Sequence, residues 1–172
     1  EIWGIALNTV KICCGDNDPD EILARALEVG ERTGKPLLFV SRGEEDRSLA
    51  GQLEKLRSGD VLTYCFNPRP QGMLGEGRVR DEVWAARERG VLFDVGHGGG
   101  SFDYGVAISA LANGFVADVI STDLHASSWD SPIESMPETA SKLLNLGVSL
   151  ERVVHQSTTA AAGAIGRADE LG

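Results

Sequence analysis

The feature that most constrains the fold is a regular alternation of continuous apolar runs with stretches of helical spacing. The five apolar runs are IWGIAL (2–7), PLLFVS (36–41), DVLTYCF (60–66), VLFDVG (91–96) and VADVISTDL (116–124). Strands that are apolar throughout, rather than at every second residue, are typical of a parallel sheet covered by helices. The sequence therefore predicts an α/β fold of five successive βα units, either a TIM-like barrel or a doubly wound sheet.

The stretches between the runs carry helix signals. After the first run, Asp18 is a predicted N-cap, Pro19 occupies the first helical position and Gly34 ends the helix. Further helices are predicted at 46–59 and, as one continuous helix, at 149–166, whereas the Pro/Gly-rich stretch 67–78 is predicted to be a loop. At 172 residues, the chain is predicted to be a single domain spanning 1–172.

Composition excludes several classes of partner. A formal net charge of -10 argues against nucleic acid and against anionic membranes. No run approaches the ~20 apolar residues of a membrane span, and no signal peptide is visible, so the expected location is cytoplasmic. The chain opens without Met inside a predicted strand and closes just after a helix, so we expect both ends to have been cut from something longer.

Polar residues gather where the predicted strands end. In chain order the strand ends carry Asn8, then Ser41 and Arg42, then Tyr64 and Cys65, then Asp94 and His97, and finally Thr122, Asp123 and His125. In a βα-barrel all these positions face one rim, where active sites lie. Strands must enter loops somewhere, so any single polar strand end is also explained by chain geometry alone.

Two of these strand ends suggest chemistry. Asp123 could bind a divalent metal or accept a proton from water, and the alternative is a helix cap or a loop carboxylate. His97 is flanked by Gly96 and by Gly98 to Gly100, and glycines allow a ligand to approach the backbone. His125 is either a second metal ligand or a loop residue. A weaker alternative pairs Cys65 with His97 for nucleophilic catalysis. The GHGGGS stretch lacks the Lys of a P-loop, which disfavours phosphate binding.

Four stretches carry a resemblance to a known family. LRSGDVLTYCF, ARERGVLFDVGHGGGSFDYGVA, GFVADVISTDLH and MPETASKLLNLGVSLERVVHQST closely resemble the second half of the cyclic-amidohydrolase-like deacetylases, a dihydroorotase-like group of the amidohydrolase superfamily. The resemblance implies a (β/α)₈ barrel of which this chain supplies strands four to eight. It also implies hydrolysis of an amide C–N bond with one or two divalent metals, usually zinc.

The resemblance assigns roles to particular residues. Asp123 resembles the metal ligand and base of the eighth strand, and His97 resembles a substrate-contacting residue. We expect Tyr64, Arg42, Gly98, Gly99 and Ser101 to contact the substrate, and Asp123 with His125 to provide metal ligands from this chain. Three family ligands are replaced, by Ala6, Val40 and Tyr64, so the metal site is expected to be depleted.

Two functions therefore remain open at this point. One is a metal-dependent hydrolase of a small-molecule amide; the other is a non-catalytic barrel fragment or a ligand-binding relic without metal. The first and last predicted strands would have unpaired edges, which favour association. We expect a homo-oligomer or completion of the barrel by the missing half.

Overall fold

The computed structural model describes residues 1–41, 43–126 and 135–172. The strands in this part of the chain are β1 (Ile5–Asn8), β2 (Leu37–Val40), β3 (Val61–Leu62), β4 (Leu74–Gly75), β5 (Arg78–Val79) and β6 (Leu92–Phe93). The helices are α1 (Lys11–Cys14), α2 (Pro19–Thr33), α3 (Leu49–Leu53), α4 (Asp81–Glu88), α5 (Tyr104–Ala112), α6 (Met136–Asn145), α7 (Leu150–Ser157) and α8 (Thr159–Ala164).

The main sheet is parallel and follows chain order. Its strands are arranged β1-β2-β3-β6, with Leu38 of β2 paired to Val61 of β3. Residues 117–122 continue the sheet beside β6, where Val119 forms a parallel bridge with Asp94. The five predicted runs are thus parallel neighbours in chain order. This is the arrangement of successive βα units, and it brings the carboxyl ends of all five to one edge.

The fifth run is less regular than the predicted strand 116–124. It is joined to β6 by a single bridge, between Val119 and Asp94. On its other side it contacts a helix and not another strand, since the amide of Ile120 donates to the carbonyl of Gln156 on α7 at 3.2 Å. The Asp118 carboxylate also accepts from the amide of Phe93 at 2.8 Å, which replaces a strand-to-strand bond.

Helix α2 confirms the predicted capping signals. The Asp18 side chain accepts a hydrogen bond from the amide of Asp20 at 2.9 Å, and Pro19 opens the helix. Gly34 ends it in the left-handed region with a φ of 65°, which glycine adopts without the steric cost that a Cβ would add.

The predicted helix 149–166 is broken in two. Thr158 separates α7 from α8 with φ -126° and ψ -93°. The hydroxyls of Ser157 and Thr158 donate to the carbonyls of Val153 and Val154, and such bonds compete with the helical ladder. The predicted helix 46–59 is likewise shorter: α3 covers Leu49–Leu53, and it begins after Ser48, whose side chain accepts from the amide of Gly51 at 3.2 Å.

The predicted loop 67–78 contains a small hairpin. Strands β4 and β5 are antiparallel, and the two residues between them, Glu76 and Gly77, have φ values of 51° and 77°. Two positive φ values are the signature of a type I′ turn, which usually uses Asn-Gly or Asp-Gly. Because Glu-Gly is not one of these common pairs, the hairpin was not predicted from the sequence.

The helices bury one face of the sheet and leave the other uncovered, so the predicted covering by helices is observed on one face. On β2, Leu37 and Phe39 are fully buried, whereas Leu38 between them is 42% exposed. Ala6 and Asn8 of β1 are exposed in the same way. The uncovered face borders a cavity of about 330 Å³ whose lining includes Asp94. Among the described residues, no helix has both the length and the apolar character to cross a membrane.

Candidate active site

The carboxyl ends of the strands border an open cavity of about 440 Å³. Its polar lining comes from the ends of three of the five parallel segments and consists of Asn8, Thr63, Tyr64, Ser121 and Asp123. The structure therefore brings together side chains that the sequence places as much as 115 residues apart. Three of them, Asn8, Tyr64 and Asp123, are among the strand-end residues that the sequence analysis singled out.

Tyr64 and Asp123 are in direct contact. The Tyr64 hydroxyl donates to Oδ2 of Asp123 at 2.9 Å. Burial, followed by this hydrogen bond, raises the pKa of Tyr64 well above its usual value. The phenol is therefore protonated at neutral pH and holds one carboxylate oxygen of Asp123 in a fixed direction.

Both members of the pair have unusual backbone conformations. Tyr64 has a φ of 60° and Asp123 a φ of 53°, although neither is glycine. The left-handed region costs a residue with a Cβ roughly 1–2 kcal/mol. Strain of this kind clusters at functional sites, where the surrounding structure holds it in place.

The glycines around His97 allow the strands to approach each other closely at the site. A Cβ on Gly96 would lie 2.1 Å from Oγ1 of Thr63, and a Cβ on Gly98 would lie 3.0 Å from Oδ2 of Asp123. Both glycines also have positive φ values, 48° and 53°. Gly98 therefore lies directly against the Asp123 carboxylate, with no side chain between them. Gly99 is exposed and Ser101 is half-buried; their predicted contacts with substrate stay predictions.

His97 immediately precedes Gly98, and both nitrogens and one face of its ring contact protein groups. Its Nδ1 atom is 3.0 Å from the Gly98 carbonyl, which can only accept, so Nδ1 carries the proton. The Lys142 ammonium, 3.2 Å from Nε2, donates to that atom. The ring stacks on Phe102 with centroids 4.5 Å apart, and the residue is 4% exposed. Its predicted contact with substrate stays a prediction, since both nitrogens face protein groups.

The neutral state of His97 follows from the same surroundings. Burial is the main cause that lowers the pKa of His97, and the Lys142 ammonium lowers it further. Glu138, which forms an ion pair with Lys142 at 3.0 Å, acts in the opposite direction.

Asp94 is a site residue that the sequence analysis noted at a strand end but assigned no role. It is 2% exposed, and its Oδ2 atom accepts from the hydroxyls of Thr63 at 2.6 Å and Ser121 at 2.7 Å. Burial raises the pKa of Asp94, against the opposing effect of the two hydroxyls. The sequence signal that could have identified Asp94 as a site residue was a single carboxylate inside the apolar run VLFDVG.

The donors present do not by themselves form a metal site. Among the described residues, no group of three or more His, Cys, Asp and Glu side chains could hold a metal ion. Zinc requires three or four N, O or S ligands. Asp123 has one oxygen bonded to Tyr64, and His125 is exposed. Their predicted metal binding stays a prediction, and Arg42 lies outside the described residues.

Cys65 is poorly suited to the nucleophilic alternative. It is 2% exposed, and burial raises the pKa of its thiol well above the usual value. The thiolate is the reactive form, and this environment disfavours it.

The chain is similar to known enzymes in sequence. It is 32% identical over 164 residues to a deacetylase of Enterococcus faecalis, a match that covers 94% of this chain and 44% of that protein. It is 37% identical over 140 residues to a deacetylase of Agrobacterium fabrum, covering 77% of this chain and 33% of the relative. No family model matches. The chain thus spans less than half the length of the curated relatives it matches.

Solved structures give the same picture. The chain aligns with an adenine deaminase at a TM-score of 0.85 and 30% identity, covering 95% of this chain and 45% of that one. It aligns with a dihydroorotase at a TM-score of 0.83 and 30% identity, covering 98% and 45%. Sequence and fold agree over nearly the whole chain, and the resemblance noted from the motifs is confirmed: the chain belongs to the amidohydrolase superfamily.

Proposed function

We propose that this chain supplies part of the active-site rim of a hydrolase that cleaves an amide C–N bond in a small molecule. The observation that carries the proposal is the Tyr64–Asp123 pair, which faces an open cavity at the carboxyl ends of parallel strands. The names of the relatives, deacetylases, and of the structural neighbours, an adenine deaminase and a dihydroorotase, support a hydrolase of this type.

In the proposed reaction, Asp123 is the general base. It accepts a proton from a water molecule as the water oxygen attacks the amide carbonyl carbon, and it returns the proton to the nitrogen when the C–N bond breaks. Tyr64 orients Asp123 through its hydrogen bond and keeps one carboxylate oxygen occupied. The other oxygen is then the one that accepts the proton.

The metal implied by the superfamily has no complete set of ligands in the described part of this chain. We therefore assign the proton transfers to Asp123 and derive no step through zinc. We propose Asp123 and His125 as the contribution of this chain to any metal centre, with the remaining ligands coming from other strands of the barrel.

We further propose that the five parallel segments correspond to strands four to eight of an eight-stranded barrel. Among the described residues, β1 pairs only with β2, and Leu38 on the uncovered face is 42% exposed. An apolar face and a free strand edge favour association. The rest of the barrel, or a second copy of this chain, would cover them. Sedimentation of the purified chain, compared with Leu38→Asp, tests whether copies associate through this face.

An amide-hydrolysis assay tests the proposed function. The purified chain is incubated with a panel of N-acetyl amino acids, with and without added zinc, and released primary amine is measured by fluorescence. We expect Asp123→Asn to lower the rate by at least ~100-fold, the usual effect of removing a general base. Tyr64→Phe should lower it by roughly tenfold or more, since a hydrogen bond to a charged group contributes about 1.5–3 kcal/mol.

Two matched substitutions serve as controls. Asp169→Asn and Tyr104→Phe make the same chemical changes at exposed residues outside the cavity, and both should leave the rate unchanged. Release of amine that is no faster in the wild type than in Asp123→Asn, under every condition, would contradict the proposal and favour a non-catalytic, ligand-binding role.

A further inference from the structure

Three adjacent strand ends are joined through one buried side chain. Asp94, which follows β6, accepts from Thr63 at the end of β3 and from Ser121 at the end of segment 117–122. Thr63 and Ser121 also line the cavity, and Asp94 lies buried between them. Thr63 immediately precedes Tyr64, and Ser121 stands two residues before Asp123.

We infer that Asp94 is a positioning residue of the proposed active site, which sets the separation of Tyr64 and Asp123 by holding Thr63 and Ser121. The inference rests on the proposed function and adds a residue to it. The two strands that carry the pair are not neighbours, because β6 lies between them. Asp94 is therefore placed where one side chain can reach both.

The two carboxylate oxygens of Asp94 differ in their surroundings, since Oδ2 accepts from both hydroxyls. Its Oδ1 atom is buried and has no hydrogen-bond partner among the described residues. A buried carboxylate that is incompletely bonded costs stability at neutral pH. The hydrogen bonds from the Thr63 and Ser121 hydroxyls offset part of this cost, and they are the bonds that connect the two strand ends.

The site geometry can be tested without turnover. The chain has two tyrosines, so labelling with ¹³Cζ-tyrosine gives two NMR signals, from Tyr64 and Tyr104. We expect Asp94→Ala to move the Tyr64 signal at pH 7 toward the position it takes in Asp123→Asn, with the Tyr104 signal unchanged. Asp94→Asn keeps an oxygen that accepts from both hydroxyls and should leave the Tyr64 signal near its wild-type position.

A matched control separates positioning from general loosening of the sheet. The Asp118 carboxylate also links segment 117–122 to β6, but it binds the Phe93 amide and Arg87 and not a residue of the cavity. Asp118→Ala should destabilise the chain and leave the Tyr64 signal in place. If Asp94→Ala does not fold, the double substitution Thr63→Val with Ser121→Ala removes the same two hydrogen bonds and should produce the same shift.

Kinetics provide a second readout. Where the chain hydrolyses an amide, Asp94→Ala should lower kcat by roughly 10- to 100-fold with KM changed less than about twofold, as expected for a displaced catalytic group. Asp94→Asn should retain most of kcat. An unshifted Tyr64 signal in Asp94→Ala, or an equal shift in Asp94→Asn, would overturn the inference. Absence of hydrolysis with the expected NMR shifts would contradict the proposed function alone.

Discussion

Gly96 offers the sharpest test of how the strands are packed around the site. It is buried, its φ is 48°, and a Cβ at this position would lie 2.1 Å from Oγ1 of Thr63 and 2.6 Å from Cδ1 of Tyr64. The third neighbour is backbone, the Tyr64 nitrogen at 3.0 Å, so rotation of side chains alone does not relieve the contact. Gly96→Ala should therefore be strongly destabilising.

The magnitude follows from two contributions. The left-handed backbone costs an alanine roughly 1–2 kcal/mol. Displacement of the Thr63 hydroxyl removes a hydrogen bond to the buried Asp94 carboxylate, which contributes about 1.5–3 kcal/mol. Together they lower the free energy of unfolding by about 2.5–5 kcal/mol. For a chain of this length, about 1 kcal/mol corresponds to roughly 2–4 °C in Tm.

Urea unfolding followed by fluorescence measures this change, and the same glycine run provides the controls. A Cβ on Gly100 would meet nothing within 4 Å, so Gly100→Ala should be neutral or stabilising by up to ~1 kcal/mol. Gly98→Ala should fall between the two, since its nearest contact is 3.0 Å. Equal stability of Gly96→Ala and Gly100→Ala, within ~0.5 kcal/mol, would refute the reasoning.

Three further predictions concern pH, a buried carboxylate and the thiols. Because burial lowers the pKa of His97, the unfolded chain takes up a proton near pH ~6.5, where the folded chain does not yet do so. The free energy of unfolding should therefore fall as the pH drops below that value. Urea unfolding at pH 7.5 and 5.5 measures this dependence, and His97→Gln should weaken it. Asp60 is fully buried and accepts from the Leu37 amide at 2.9 Å and the Arg57 guanidinium at 2.8 Å, so Asp60→Ala should cost about 3 kcal/mol or more in the same assay, and a loss below ~1 kcal/mol would count against this. Cys13 is exposed whereas the other two cysteines are buried, so a thiol reagent should modify one thiol rapidly in the native chain and three in urea; rapid modification of all three in the native state would contradict the burial.

The parallel sheet could be predicted from the sequence because the apolar runs are continuous and separated by predicted helices, whereas the order of the strands was implied only by the family resemblance. Asp18, Pro19 and Gly34 fixed both ends of α2 through local interactions alone. The local rules failed at two places, and in both the cause is itself local. The break at Thr158 depends on hydroxyl bonds that compete with the helix, and the hairpin at Glu76 and Gly77 uses an uncommon turn sequence.

The site was predictable as a set of residues but not as an arrangement. Strand-end position indicated Asn8, Tyr64 and Asp123, since the carboxyl ends of parallel strands share an edge. The sequence could not show that Tyr64 donates to Asp123, that Asp94 joins the strands beneath them, or that both nitrogens of His97 face protein groups. Each depends on contacts between distant parts of the chain, which are 59 residues apart for Tyr64 and Asp123 and 45 residues apart for His97 and Lys142.

Tyr64 and Asp123 form one hydrogen-bonded pair at the carboxyl ends of the parallel strands, and the proposed function depends on this pair. The most direct measurement is the alkaline titration of the two ¹³Cζ-tyrosine signals in the wild type and in Asp123→Asn. We predict that Tyr64 ionises at a much higher pH than Tyr104 in the wild type, and that Asp123→Asn moves the Tyr64 titration to lower pH with Tyr104 unchanged. Coincident titration of the two tyrosines in the wild type, or an unmoved Tyr64 in Asp123→Asn, would contradict the account.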